Sequence, residues 1–230
     1  MLQLKQVEVA YDESTVIRDV SMTVKPGQVV CLMGRNGVGK TTLMKAIMGV
    51  LTSKNGQIIY EDEEITKKNP THRAKKGFGY VPQGREIFSH LTVYENILIG
   101  LEARNDKKRH VDPVIYDYFP VLKEMKDRRG GDLSGGQQQQ LAIARALVSD
   151  PKFLLFDEPT EGIQPNIVAD IQNVIKDIKQ NKKDTSILLI EQSFDFAQSV
   201  ADYFYIIDKG RVVYEGEELV EEEVSRYLAV

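Results

Sequence analysis

The chain has 230 residues, 42% of them hydrophobic and 28% charged, enough to bury a full core as one large domain or two close-packed lobes. Thirty basic against 34 acidic side chains leave a net charge of −4, which removes the electrostatic case for nucleic acid as a partner. The one cysteine, Cys31, lies inside the apolar run QVVCLM and reads as a small core residue rather than part of a disulfide or metal framework.

In chain order, LQLKQVEVAY alternates as a strand. The start has no basic segment followed by an apolar one, so secretion is not expected. SMTVKPGQVVCLM reads as a strand pair broken at Pro26-Gly27. A glycine loop follows Met33, and TTLMKAIMGV is then apolar at helical spacing. GQIIYEDEEI reads as a hairpin, and GFGYVPQ as a short strand ending at Pro82. Across residues 84–149 the texture changes to LTVYENILIGLEA, VDPVIYDYFPVLKEM and QQQQLAIARALV, helical patterns with polar connectors. The charge run RNDKKRH among them reads as a solvated loop. Strand-like runs return with FLLF, SILLI and YFYIID, the last turning through DKGR into VVYEG. The expected fold is one α/β phosphate-loop domain over 1–230. It has a mixed, largely parallel sheet with helices, an N-terminal antiparallel β-subdomain, and a helical subdomain inserted over 84–149. No apolar stretch approaches the roughly 20 residues that span a bilayer, so work at a membrane would need a docking partner.

GRNGVGKT, Gly34 to Thr41, satisfies G-x-x-x-x-G-K-[ST] between a strand and a helix. Gly34, Gly37 and Gly39 free the backbone so that successive amides, those of Arg35, Asn36 and Val38 included, converge on an anion. The helix N-terminus, running on through Thr42, adds partial positive charge. Lys40 should reach the β- and γ-phosphates, and Thr41 should ligate Mg²⁺. In FLLFDEPTEG a buried strand delivers Asp157 and Glu158 to its carboxyl edge, where ligands of α/β sheets bind. Asp157 is placed to hold Mg²⁺ through water and Glu158 to polarise a water against the γ-phosphate. Gln83 follows a strand at the entry to the helical insertion, where its amide could touch Mg²⁺ or the attacking water. In LSGGQ, the Ser134 hydroxyl with the amides of Gly135 and Gly136 suits an anion, yet no lysine accompanies it.

With LSGGQ standing between the phosphate loop and the acidic strand, the whole chain resembles the ATP-binding subunit of an ABC transporter. That resemblance implies two nucleotide-binding domains meeting head to tail, so that Ser134, Gly135, Gly136 and Gln137 close on the ATP held by a partner subunit. It implies that Tyr11 stacks on adenine, and that the helix containing Leu91, Val93, Ile97 and Leu98 receives an integral membrane permease subunit, unless those residues serve internal packing. It also implies a protein peripheral to the cytoplasmic face of the cell membrane.

Two positions depart from the family pattern. Gln192 stands where a histidine usually contacts the γ-phosphate; it offers an amide hydrogen bond but no switchable charge. Gln164 replaces an aspartate that usually helps join the two domains. His72, His90 and His110 lie elsewhere and read as surface residues. EQ at 191–192 with QGREIF is similar to the second ATPase of branched-chain amino-acid-type importers, and LSGGQQQQLAIARAL with DEPTEGIQP to the urea-uptake branch. The expectation is therefore an ATP- and Mg²⁺-dependent ATPase that powers uptake of urea or a similar amide or amino acid. It would pair with a different ATPase subunit that supplies a histidine, with membrane permeases, and indirectly with a periplasmic or extracellular solute-binding protein. The alternatives are a soluble ABC-type ATPase of iron–sulfur assembly and a nucleotide-gated scaffold without hydrolysis.

Overall fold

Two sheets enclose one helix in the computed structural model, which describes residues 1–106, 108–220, 225 and 227. The chain runs β1 (Leu2–Tyr11), β2 (Ser14–Val24), β3 (Val29–Met33), α1 (Lys40–Met48), β4 (Asn55–Tyr60), β5 (Glu63–Glu64), α2 (Pro70–Lys75) and β6 (Phe78–Val81). Helices α3 (Val93–Gly100), α4 (Val114–Tyr118), α5 (Pro120–Glu124) and α6 (Gly135–Leu147) follow. The chain then returns through β7 (Phe153–Asp157), α7 (Pro165–Asn181), β8 (Ser186–Ile190), α8 (Phe194–Val200), β9 (Tyr203–Asp208) and β10 (Arg211–Gly216).

The first sheet is antiparallel in the order β2-β1-β4-β5, and the second has the order β10-β9-β3-β8-β7-β6 with only β10 antiparallel. All five residues of β3 are buried, because both its faces are covered, as parallel sheets require. Val30 and Leu32 pack into one core with α1 and the antiparallel sheet. Val29, Cys31 and Met33 pack into the other, with α6, α7 and α8. Helix α1 is accordingly buried nearly all round, which accounts for its LMKAIM stretch, apolar except for the half-buried Lys45.

This layering corrects the expected strand pair across Pro26-Gly27: β2 and β3 do not pair but belong to different sheets. The turn steps between layers. Gly27 takes φ +69° and donates to Ser186 Oγ at 3.1 Å, while that hydroxyl donates to Lys25 O at 3.0 Å. The VDPVIYDYFPVLKEM pattern divides into two short helices because Phe119, forced out of the helical region by Pro120, has φ −135°. Helix α2 was not read from the sequence, although Asn69 caps it by accepting from His72 N and Pro70 begins it.

Between β6 and β7 the described residues form helices and turns, apart from one isolated bridge between Thr92 and Arg129. Gly100 lets α3 cross α6 closely, since a Cβ there would stand 2.1 Å from Arg145 O. Val93 and Ile97 are fully buried, and Leu91 and Leu98 partly so, with Leu98 packed on the core. The apolar side chains this region exposes are instead Phe88, Tyr94 and Ile99. The carboxyl ends of the parallel strands β3, β8, β7 and β6 share one edge of the sheet, and the chemistry collects there.

Candidate active site

At the end of β3 the chain enters the glycine loop. Gly34 (φ +148°) passes so close to β9 that a Cβ would lie 2.4 Å from Ile207 O, whereas Gly37 (φ +81°) faces open space and is required by conformation alone. Gly39 caps α1 with no side-chain acceptor, and the first turn carries no acidic residue, so the amides there are left for an external anion. Lys40 is 5% exposed; its Nζ donates to Gly34 O at 2.8 Å and Arg35 O at 3.0 Å, and lies 3.4 Å from Glu158 Oε1. A cavity of about 440 Å³ opens over Asn36, Gly37, Lys40, Thr41, Gln83 and Glu158.

Strand β7 delivers the acids. Asp157 is fully buried and accepts from Thr41 Oγ1 at 3.2 Å. Burial pushes its carboxyl up to about 6; the Thr41 hydrogen bond opposes this, Glu158 adds to it, and Lys40 opposes it. Glu158 takes a left-handed φ of +49°, a costly conformation for a side chain with a Cβ, and one that clusters at functional sites. Its carboxylate accepts from Gln83 Nε2 at 3.2 Å and Gln192 Nε2 at 2.8 Å. Thus the phosphate loop, the end of the acid strand, the second residue after β6 and the second residue after β8 meet at one carboxylate.

Gln192 reaches the phosphate loop as well, donating to Asn36 Oδ1 at 2.9 Å. Gln83 also donates to Glu161 Oε2 at 3.0 Å. It is followed by three successive left-handed residues, Gly84, Arg85 and Glu86, so the passage into the helical region is a strained segment. Sequence reasoning missed Glu191. Only 3% exposed, it accepts from Thr160 Oγ1 at 2.5 Å, Gln192 N at 3.0 Å and Ser193 N at 3.4 Å. Burial raises its pKa against those hydrogen bonds. A charged residue beside the suspected glutamine was the signal available.

The LSGGQ stretch lies apart from this cluster. Ser134 caps α6, and a reciprocal capping box joins Ser134 Oγ to Gln137 N (3.3 Å) and Gln137 Oε1 to Ser134 N (3.0 Å). Two of the other glutamines fasten the helix. Gln138 donates to Gly130 O and Leu133 O, and Gln140 to Asp170 Oδ2 on α7. The cation missing from the motif has a local counterpart: a Cβ on Gly135 would stand 3.0–3.3 Å from the Arg85 guanidinium. Tyr11 sits at the end of β1, 45% exposed and outside the cavity lining, which on that side is Val16. Gln164 is the N-cap residue of α7 but makes no side-chain capping hydrogen bond. His72 contacts Glu63 and not the site, and His90 and His110 are exposed.

For Mg²⁺ the donor set fits: a hydroxyl and a buried carboxylate already in contact, beside a phosphate cradle, is the sparse protein contribution this ion takes. Clusters of three or more His, Cys, Asp or Glu able to hold a metal are absent among the described residues. No helix among them is long and apolar enough to cross a membrane.

The family model described as ABC transporter matches residues 17–161. The high-affinity branched-chain amino acid transport ATP-binding protein BraG of Pseudomonas aeruginosa is 39% identical over 215 residues, covering 93% of this chain and 91% of that protein. The lipopolysaccharide export system ATP-binding protein LptB of Escherichia coli is 33% identical over 233 residues, covering 98% and 95%. Among solved structures, a nucleotide-free ATP-binding cassette from an ABC transporter superposes with TM-score 0.81 at 29% identity, covering 100% of this chain and 95% of that one.

Proposed function

The chain belongs to the ABC transporter family of ATP-binding proteins, and on that premise we propose that it is the ATPase subunit of an importer of amino-acid or small amide solutes. Members of this family bind and hydrolyse ATP and work as dimers with membrane permease subunits. The observation that carries the catalytic reading is the convergence of Lys40, Gln83 and Gln192 on Glu158 at the edge of the parallel sheet.

In this reading Lys40 and the amides of Gly34 to Thr42 hold the triphosphate, and the Lys40 ammonium exchanges its carbonyl contacts for phosphate oxygens. Glu158 takes a proton from the attacking water. The water oxygen bonds to the γ-phosphorus, the bond to the bridging oxygen breaks, and ADP and phosphate leave. Gln83 and Gln192 orient the water and the γ-phosphate through their amides. Thr41 and Asp157, with the Gln83 amide as a further ligand, would hold Mg²⁺, which would supply positive charge to offset that of the phosphates. Tyr11 would stack on adenine. Ser134, Gly135, Gly136 and Gln137 serve the nucleotide of a second subunit. Because Gln192 has no switchable charge, that subunit is a different chain bearing a histidine.

The importer reading is supported by the 39% identity to a branched-chain amino acid transport protein. Urea, as the solute, is supported by the EQ and EGIQP pattern alone. The second reading, export of a lipid-linked saccharide, has the 33% identity to LptB behind it. Either places the chain on the cytoplasmic face of the membrane, and the importer adds a solute-binding protein outside. The test is co-purification with the permeases, followed by reconstitution in vesicles with labelled urea and leucine. ATP-dependent accumulation supports import; ATP turnover without movement of either solute, stimulated by lipopolysaccharide, reverses the assignment.

A further inference from the structure

The acid strand and the segment after β8 are joined by a buried hydrogen-bond bridge that none of the roles above uses. Thr160, two residues beyond Glu158, donates its hydroxyl to Glu191 Oε1 at 2.5 Å, and Glu191 Oε2 accepts from the amides of Gln192 and Ser193. Glu191 N in turn donates to Leu32 O at the end of β3, at 3.4 Å. The side chain so positioned, Gln192, is the one that spans Asn36 of the phosphate loop and Glu158. A recess of about 250 Å³ is bounded by Asn36, Glu158, Thr160, Glu191 and Gln192, so the bridge forms its wall.

A carboxylate at 3% exposure is expensive to desolvate, and it is kept only where donors satisfy it. The donors here come from two separate segments. Their common acceptor makes the Thr160 loop and the Gln192 backbone move together, since shifting either one strips a hydrogen bond from a buried charge. The Thr160 loop leads through Gly162 (φ +63°) to Gln164 at the head of α7.

We propose that Glu191 is a positioning residue that locks Gln192 to the Thr160 loop, so that displacement of residues 160–164 is delivered to the amide contacting Glu158. This rests on the reading of Glu158 as the site of ATP hydrolysis. The loop is thereby a lever on turnover, and nucleotide binding at the phosphate loop does not pass through it.

The test uses the full chain assembled with its partner ATPase subunit for MgATP turnover, and the full chain itself for ATP affinity by equilibrium binding and for thermal midpoint. Thr160→Val keeps the shape and removes the donor; it should lower kcat about tenfold while leaving ATP affinity within about twofold. Thr160→Ser restores the hydroxyl and should restore kcat. In the double variant Thr160→Val with Gln192→Ala, the loss should match that of Gln192→Ala alone, because both act through one amide. Multiplicative losses would overturn the proposal, as would wild-type turnover in Thr160→Val, or a fall in kcat, affinity and thermal midpoint together that serine does not rescue. A wild-type assembly that neither binds nor turns over MgATP defeats the underlying ATPase reading, and the proposal with it.

Discussion

The two glycine-bearing helix starts, at α1 and α6, solve the same electrostatic problem in opposite ways. Both present backbone amides and positive dipole ends. At α1 the cap is Gly39, no side chain accepts from the first turn, and a buried Lys40 lies across the loop with Glu158 beside it. At α6 the cap is Ser134, closed on itself by Gln137, exposed, with the Arg85 guanidinium nearby. The first end is incomplete until an anion arrives. The second is a finished, self-satisfied helix terminus offering a surface. A helix end that needs no ligand for its own stability can face a second molecule, whereas an end with unmet donors and a sunken lysine makes a pocket for its own.

Breaking the incomplete side should have the larger effect. Glu158→Gln keeps the shape, leaves one oxygen to accept from Gln83 or Gln192 and removes the base, so turnover measured by phosphate release should fall about a thousandfold, with ATP affinity retained. Turnover near wild type would assign the base elsewhere. Lys40→Ala removes the ammonium that meets the phosphates, taking the ion pair from Glu158, which keeps its Gln83 and Gln192 donors, and a hydrogen bond from each of the Gly34 and Arg35 carbonyls; turnover should fall about a hundredfold, and here equilibrium binding should show ATP affinity falling too. Those two variants thus separate chemistry from binding inside one cavity.

Asp157 sharpens the comparison through pH. Its carboxyl is raised from 3.8 to about 6, so between those values the folded protein holds a proton that the unfolded chain has released. Stability from this group is full below the unfolded value and is lost as pH rises through 6. The difference is on the order of 2–3 kcal/mol. Asp157→Asn should therefore raise the thermal midpoint at pH 7.5, the gain shrinking toward pH 5, while turnover disappears. An unchanged midpoint at pH 7.5 would mean that Asp157 carries no such burden. A matching burden is not expected at α6, where no buried carboxylate accompanies the cap.

What the sequence exposed follows the same division. The loop from Gly34 to Thr42 is legible because its chemistry is written in consecutive residues; the capping box of Ser134 and Gln137 was not read, although S-x-x-Q spells it. The fold class is legible through alternation and helical spacing. The Thr160–Glu191 bridge is not, because it depends on β7 and β8 lying side by side. Neither is Arg73, fully buried and donating to five carbonyls, among them Ala46 and Ile47 at the end of α1. An arginine in a polar stretch reads as solvated until the helix end beneath it is known. Asn96, buried and bonded to Phe88, Leu91 and Thr92, was hidden likewise within an amphipathic pattern. The pairing assigned across Pro26-Gly27 failed for the opposite reason. Adjacent strands joined by a turn normally pair, and here the covered faces of β3 overrode the local signal.

The smallest effect belongs to the finished helix end. Ser134→Ala removes the hydroxyl that accepts from Gln137 N, so the thermal unfolding of the chain should show a loss of about 1 kcal/mol, the ordinary cost of an N-cap. Because Lys40 bonds to Gly34 and Arg35 while Ser134 bonds to Gln137, the isolated subunit should bind ATP with wild-type affinity. Turnover by the assembled dimer should nevertheless fall, since the hydroxyl lost there is one that the partner's nucleotide would meet. Thr at the same position keeps the hydroxyl and should recover both properties. If ATP affinity of the isolated subunit drops with Ser134→Ala, the signature faces the loop of its own chain, and the contrast between a self-sufficient helix end and a ligand-requiring one no longer describes a site divided between two molecules.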